Sequence, residues 1–304
     1  MTIRTRDLTK QWRPGDGRQL ARLLNQAGRA WPGGAWDPQT PEDAERGFHE
    51  QQLLAGFVAE VGDDIVSYCN LQAKPDERNR AYIPFLTADP DFLGKGYGKA
   101  VLLRAVERVC ELGIDRVDLH TWAGNLKAVP LYKKSGFMWS PESGNWGVHM
   151  QNFTPGARRH PLAQAFFRKH DWYRTMKRDL SLTEDEHKRG KVRVYEYQWE
   201  EDGDRLRMVF DRQSWGLVEI ETNDFLVACS LDDEQLIAGL PHRLRWQIVN
   251  HRKDPLDVML MASADDGIAL DHKQAIRVAS RAQLSADFQV DPEIEQKEKE
   301  PRAP

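Results

Sequence analysis

Cysteine is scarce in this chain of 304 residues, with 3 copies, Cys69, Cys110 and Cys229, widely spaced and forming no C-x-x-C pair. That pattern excludes a disulfide framework and gives no zinc or redox motif, so all three read as reduced, largely buried thiols. A long apolar run is also missing. Without about 18 consecutive apolar residues no membrane-spanning helix is expected, and the opening MTIRTRDLTKQW lacks the apolar stretch of a secretory leader, so a cytoplasmic protein is expected. Positive charge does not dominate either: 43 Lys and Arg against 47 Asp and Glu leave a net charge of −4. The chain as a whole therefore has no attraction for phosphate polymers, and no nucleic-acid or membrane partner is expected, although Arg158-Arg159 is a local basic pair. No internal repeat is visible.

What is present suffices for packed cores. Hydrophobic residues make up 40% and charged residues 30%, and the length is about twice the commonest domain size, so two domains are the starting expectation. In the first half, strand-like and helix-like periods alternate. A short strand at residues 3–6, helices at 16–30 and 41–50, a hairpin of 53–61 with 64–72 turning at Gly62-Asp63, and a strand at 80–88 precede the clearest helix, 98–112. There Leu102, Ala105, Val106 and Val109 share one face and Gly113 ends the run. A strand at 116–122, a short helix at 126–135 and one or two closing strands within 137–150 complete the pattern. An α/β (α+β) architecture, a mixed central sheet flanked by helices, follows from it.

Beyond Pro155 the pattern changes. Residues 157–180 read as an amphipathic helix, and 183–186 as a capping box opening another. From residue 191 the period is two, with strand-like segments at 191–199, 205–212, 216–221, 225–231, 243–250, 256–263 and 275–280, which suggests a β-sandwich. The tail DPEIEQKEKEPRAP has too little apolar content to repay ordering and reads as disordered. The expected organisation is therefore a first domain at 1–155, a helical connector at 156–190, a β-sandwich at 191–290 and a disordered tail at 291–304.

One segment carries chemistry. Residues 93–99 read LGKGYGK, after a strand and before the best helix. Glycines at alternate positions leave amide N–H groups free to converge on an anion, and the helix N-terminus adds partial positive charge. Two common phosphate loops fail: a G-x-G-x-x-G from Gly94 needs glycine at Lys99, and a P-loop through Gly98-Lys99 needs glycine at Leu93 and a hydroxyl at Ala100. After one more strand comes Asn125-Leu-Lys-Ala-Val-Pro-Leu-Tyr-Lys-Lys-Ser-Gly-Phe137.

With Gly94, Gly96 and Gly98 followed by Asn125, Ala128, Leu131, Tyr132, Gly136 and Phe137, the first 153 residues or so resemble the GCN5-related N-acetyltransferase (GNAT) family. The resemblance implies a V-shaped opening between the strand through Leu86, Thr87 and Ala88 and the strand through Leu119 and Thr121. It implies acetyl-CoA (coenzyme A) as cosubstrate, with pantetheine pairing along Leu86, Thr87 and Ala88, and no metal. Pyrophosphate would lie on Leu93, Gly94, Lys95, Gly96, Tyr97, Gly98 and Lys99, and Asn125 would touch the cofactor arm. Tyr132 matches a tyrosine near the sulfur, suited to protonate the departing thiolate. A backbone N–H near residues 86–88 would stabilise the oxyanion, and the amine would attack directly in a ternary complex.

Two positions depart from the family. Leu93 stands where Arg or Gln is usual, and Tyr82 and Pro84 stand where many members carry a glutamate base. His120 is the candidate base in its place. Asp118 is the other candidate and is expected on the opposite face of its strand. Lys127, Lys133 and Lys134 are candidates for an outer phosphate of the cosubstrate, or are solvated. Trp12, Trp31, Trp36 and Trp122 read as core or lid packing near the acceptor side, with recognition of an apolar or cationic acceptor as the alternative. His242, His251 and His272 are too scattered for a metal site.

The expected activity is N-acetyl transfer to a small-molecule or peptide amine. An acyl-CoA-binding sensor or scaffold of lapsed chemistry is the alternative, motivated by Leu93 and the missing glutamate. The β-rich half then serves interaction, through a homo-oligomer or a protein partner.

Overall fold

Alternating strands and helices in the first half of the chain become one seven-stranded sheet with helices on both faces. The computed structural model describes residues 3–29, 37–74, 79–122, 124–140, 147–190, 192–233, 236–264 and 267–293. The chain divides into two units, Met1–Glu186 and His187–Pro304. Trp31, Trp36 and the tail beyond residue 293, expected to be disordered, lie outside the described residues.

In the first unit the strands are β1 (Thr5–Asp7), β2 (Leu53–Val61), β3 (Asp64–Ala73), β4 (Arg80–Ala88), β5 (Arg116–Thr121), β6 (Phe137–Ser140) and β7 (Val148–Asn152). The helices are α1 (Asp16–Arg29), α2 (Pro41–Glu50), α3 (Tyr97–Glu111) and α4 (Ala128–Lys134). The sheet runs β1-β2-β3-β4-β5-β7-β6, antiparallel throughout except for the parallel pair β4 and β5. That pair needs a crossover, and α3 is the crossover.

Each face of the sheet has its own core. Val101, Leu102, Ala105, Val106 and Val109 of α3 are fully buried with Ala81, Ile83, Val117 and Leu119 of β4 and β5. On the other face Leu20 and Leu23 of α1 and Ala44 and Phe48 of α2 pack against Val58, Ile65 and Tyr68. Pairing of β1 with β2 is reinforced by Arg6, whose buried guanidinium meets Asp16 of α1 at 2.8 Å and Glu60 of β2 at 2.5 Å.

Residues 157–180 do not form the long helix expected. Three short helices stand there, α5 (Thr154–Arg159), α6 (Gln164–Phe167) and α7 (Trp172–Thr175), then a two-residue strand β8 (Met176–Lys177). Pro161 forbids helix through His160, whose backbone is extended, and Asp171 caps a new start by accepting from the Arg174 amide. The capping box expected at 183–186 opens no helix. The Asp185 carboxylate instead accepts from the Trp139 amide and pairs with Lys133 and Arg178.

The second unit holds β9 (His187–Arg189), β10 (Val192–Glu201), β11 (Asp204–Asp211), β12 (Leu217–Thr222), β13 (Phe225–Leu231), β14 (Pro241–Asn250), β15 (Leu256–Ser263), β16 (Ile268–Ala269), β17 (Asp271–Val278) and β18 (Arg281–Val290). Strands β10 to β14 form an antiparallel meander, β18 continues it from β14, and β16 edges β18. β15 and β17 form a separate two-stranded ribbon. The strand-rich content matches expectation, while the pairing is one long sheet and a ribbon where a sandwich of two comparable sheets was expected. Tyr195, Tyr197, Trp199, Met208 and Val209 are fully buried at its core.

Candidate active site

The glycine segment sits between β4 and α3, as its sequence requires. A single 3-10 turn, Pro90–Phe92, leads into it. Gly94 and Gly96 have φ of +75° and +88°, a region that L side chains avoid, and Gly96 is the N-cap of α3. Among the described residues, no acceptor is bonded to the N–H groups of Gly94, Lys95, Gly96, Tyr97, Gly98 or Lys99. A row of free donors at the positive end of a fifteen-residue helix is suited to a polyanion. Leu93 is 51% exposed at its edge. The Lys95 ammonium is turned back to donate to the Asp91 carbonyl at 3.1 Å, and Lys99 lies over the Tyr173 ring at 5.6 Å.

Beside this cradle the sheet opens. Parallel pairing of β4 with β5 ends at Ile83 with Leu119, although β4 continues to Ala88 and β5 to Thr121. The cause lies in β4 itself. Asn70 of β3 faces Phe85 and Gln72 faces Tyr82, so Ile83 and Pro84 together oppose Leu71 alone, a β-bulge. Pro84 has no N–H to offer a neighbouring strand, which suits it to that place. The extra residue changes which face the following side chains meet. Ala81, Ile83 and then Leu86 pack on the α3 side, whereas Phe85 joins the α1 and α2 side. Leu86, Thr87 and Ala88 thus keep their pairing to β3 while their other edge no longer pairs with β5.

Tyr132 lies on α4 in the core shared with α3, 7% exposed, its ring edge-on to Phe137 at 6.0 Å. Burial, and secondarily Cys69, push its phenol above the ordinary tyrosine value. A group so held keeps its proton at neutral pH. The turn before α4 is fixed by Asn125, whose side-chain N–H donates to the Thr121 hydroxyl at 3.0 Å and whose side-chain oxygen accepts from the Ala128 amide at 3.2 Å. Gly136, with φ of +94°, ends the motif where a Cβ would stand 2.7 Å from the Thr154 methyl. Lys133 is no phosphate ligand. It is fully buried, donating to the carbonyls of Ser181 at 2.6 Å and Thr183 at 2.9 Å and pairing with Asp185 at 3.1 Å.

On the opposite face of the sheet a chain of polar side chains crosses β4, β5 and β7. The Tyr82 hydroxyl and His120 Nδ1 are 3.0 Å apart. His120 stacks on His149 with ring centroids 4.6 Å apart and planes 9° from parallel. His149 Nε2 is 3.0 Å from Asp118 Oδ2, and Asp118, fully buried, also takes Arg80 and Arg116 at 3.0 Å each. The expectation that Asp118 and His120 point to opposite faces was wrong. They are two residues apart, and strand alternation puts such residues on one face, so Asp118 reaches His120 through His149. His120 itself is exposed at the end of β5. Crowding by its surroundings, then His149, hold its pKa below the usual 6.5, which leaves a neutral imidazole at pH 7.

Sequence reasoning missed Tyr82 and His149 as members of this group. Their signal is the register of β5 with β7, which sets His120 against His149, and register is not legible in one chain. Trp12 packs as expected, stacked on Phe48 at 4.8 Å and beside His49 at 4.6 Å. In the second unit His242 pairs with Asp233, His251 with Glu221, and His272 stacks on Trp246. Among the described residues no group of His, Cys, Asp or Glu is arranged to hold a metal. The three cysteines are free, and Cys69 is buried.

Part of the chain is similar to known proteins. A sequence model described as "Acetyltransferase (GNAT) family" matches residues 19–137. A mycothiol acetyltransferase of Propionibacterium freudenreichii subsp. shermanii is 38% identical over 102 residues, 32% of this chain and 33% of the relative. An uncharacterized N-acetyltransferase of Methanocaldococcus jannaschii is 34% identical over 85 residues, 27% of this chain and 38% of the relative. The chain thus spans about a third of the length of these curated relatives. Among solved structures, the PaiA N-acetyltransferase of Thermoplasma acidophilum in complex with coenzyme A aligns with 50% of this chain and 99% of its own, at 18% identity and a TM-score of 0.41.

Proposed function

Residues 19–137 form a GNAT acetyltransferase domain, and on that premise we propose that the protein moves an acetyl group from acetyl-CoA to an amine by direct attack in a ternary complex. The observation that carries this reading is the opening of the sheet, where β4 leaves β5 after Ile83 beside a row of free amides at the start of α3. An extended thiol ester with a pyrophosphate at its far end fits such a slot. The backbone edge of Leu86, Thr87 and Ala88 would pair with its pantetheine arm, and the amides of residues 94–99 would hold the phosphates. Asn125, already bonded to Thr121 and Ala128, has one side-chain N–H left for the arm. Bound acetyl-CoA supplies an activated acyl carbon and a thiolate leaving group.

The chain supplies the rest. A β4 amide no longer paired to β5 polarises the acyl oxygen. His120, neutral at pH 7, takes the proton that the attacking amine releases, and Tyr132 gives its proton to the departing sulfur. Leu93 costs one side-chain contact to phosphate but leaves the backbone donors intact. The reading of a lapsed acyl-CoA sensor gains no support from the comparisons.

The acceptor is an amine on a small molecule or a peptide. For the second unit we propose an interaction role, through a second copy or a protein partner, supported by apolar side chains left in solvent: Met259, Met261 and Ile237 are 51%, 68% and 56% exposed. No described helix is long and apolar enough to cross a membrane, and a cytoplasmic setting accords with the three free thiols. Tyr132→Phe tests the chemistry. Turnover should fall about 100-fold, the usual worth of a general acid, with coenzyme A binding unchanged. Wild-type turnover in that variant would remove Tyr132 from the reaction.

A further inference from the structure

Many members of this family carry a carboxylate base where this chain has Tyr82, and nothing so far explains how a tyrosine could do that work. Tyr82 stands one residue before the last β4–β5 pair, at the root of the opening and on the face away from Tyr132. Its hydroxyl is in hydrogen-bond contact with one neighbour among the described residues, His120 Nδ1 at 3.0 Å. Behind His120 lie the stacked His149 ring and, through it, the buried Asp118 carboxylate. We propose that Tyr82 and His120 together replace the missing base: the amine's proton passes to the Tyr82 oxygen as the phenol's own proton passes to His120 Nδ1. This rests on the transferase reading above.

The step balances. The amine's lone pair forms the new N–C bond and the sulfur leaves with the electrons of the C–S bond. One proton reaches sulfur from Tyr132, one reaches His120 through Tyr82, and exchange with water restores both groups. Tyr82 is then the residue that touches the acceptor. His120 stores the proton, and His149 and Asp118 position it, a role for which a rigid stack backed by a fully buried carboxylate is suited.

Charge around the pair sets its resting state, a protonated phenol beside a neutral imidazole. Burial, then Asp118, push the Tyr82 phenol above its ordinary value, so it holds its hydrogen until the amine arrives. The groups facing the pair are Lys74, whose ammonium lies over the Tyr82 ring at 5.0 Å, with Arg80, His149 and Asp118. Of these His149, Lys74 and Arg80 lower the His120 pKa and Asp118 raises it. His120 therefore starts neutral, its Nδ1 lone pair open to the phenol.

Nitrogen-resolved NMR of the histidine rings in the full chain, with kinetics beside it, tests the relay. The account expects neutral His120 at pH 7 as the tautomer protonated at Nε2, titrating below 6.5. In His149→Phe, which keeps a ring in the stack, that titration should rise, since a neighbour that lowers it is removed. Tyr82→Phe should lower kcat about 100-fold while leaving the KM for acetyl-CoA unchanged, a split that a merely structural loss would not give. Wild-type thiol release is measured first. Its absence with every amine would overturn the transferase reading and the relay with it. Wild-type turnover together with full-rate Tyr82→Phe, or with His120 protonated at Nδ1, would overturn the relay alone.

Discussion

At the scale of single residues, the first unit depends on charges that lie out of solvent. Arg6 joins β1, α1 and β2 through Asp16 and Glu60, so Arg6→Ala would leave two carboxylates without their cation and should cost about 3–5 kcal/mol in denaturant unfolding. Burial pushes the Asp16 carboxyl up, but the Arg6 and Arg13 hydrogen bonds outweigh it and hold the pKa below the ordinary 3.8. A depressed acid stabilises the fold above its unfolded value and loses that contribution as pH falls through its folded one. Stability should therefore drop on acidification below pH 3.8, and Asp16→Asn should flatten the drop in acid-unfolding curves. For His120 the sign is opposite in use: a base with a lowered pKa keeps kcat/KM high further into acid, so the acid limb of the rate profile should lie below pH 6.5. A limb above that value would remove His120 as the acceptor of the proton. The glycines before α3 and the short helix that carries Tyr132 were legible in the sequence because their spacing is itself the signal. Lys133 and Asp118 were not, since burial of a charge depends on partners such as Asp185 and Arg80 that lie far off in the sequence.

At the scale of elements, two features decide where the site falls. The first is the bulge at Ile83 and Pro84, which sends Leu86 and Phe85 to faces they would not otherwise meet. Deleting Pro84 would restore simple alternation and flip residues 85–88. Coenzyme A binding by calorimetry should then be lost, and retained binding would show that the bulge does not build the site. The second is the segment 178–185, which holds α4 through Lys133 and β6 through Arg178. Element positions in the first half were readable to within a residue or two because periods of two and 3.6 differ plainly there. The bulge was hidden, as a lone proline in a strand gives its place but not its effect. The helix expected over 157–180 failed because apolar residues kept a helical spacing while Pro161 and Asp171 cut the backbone into three pieces. β18 was overlooked although Ala282, Leu284, Ala286, Phe288 and Val290 alternate with polar residues, the pattern that its nine-residue pairing with β14 uses.

At the scale of the whole molecule, each unit carries its own core. One is built on α3 and the seven-stranded sheet. The other is built on Trp199, Tyr197 and Phe210, with the first two rings stacked at 5.6 Å and Phe210 edge-on to Tyr197 at 5.8 Å. A fragment of residues 1–186 should therefore fold by circular dichroism and bind coenzyme A as the full chain does. Failure of that fragment to fold would mean that the second unit completes the first. Its strand content was readable from period-two alternation, whereas the way the strands join into one long sheet and a ribbon is a matter of non-local pairing that no local pattern encodes.

The central claim is amine acetylation, and the direct measurement is release of free thiol from acetyl-CoA across polyamines, aminoglycosides, amino acids and peptides, with coenzyme A binding followed in parallel. The account predicts binding together with thiol release that depends on one class of amine and is lost in Tyr132→Phe. Binding with no amine-dependent release across the whole panel would contradict it.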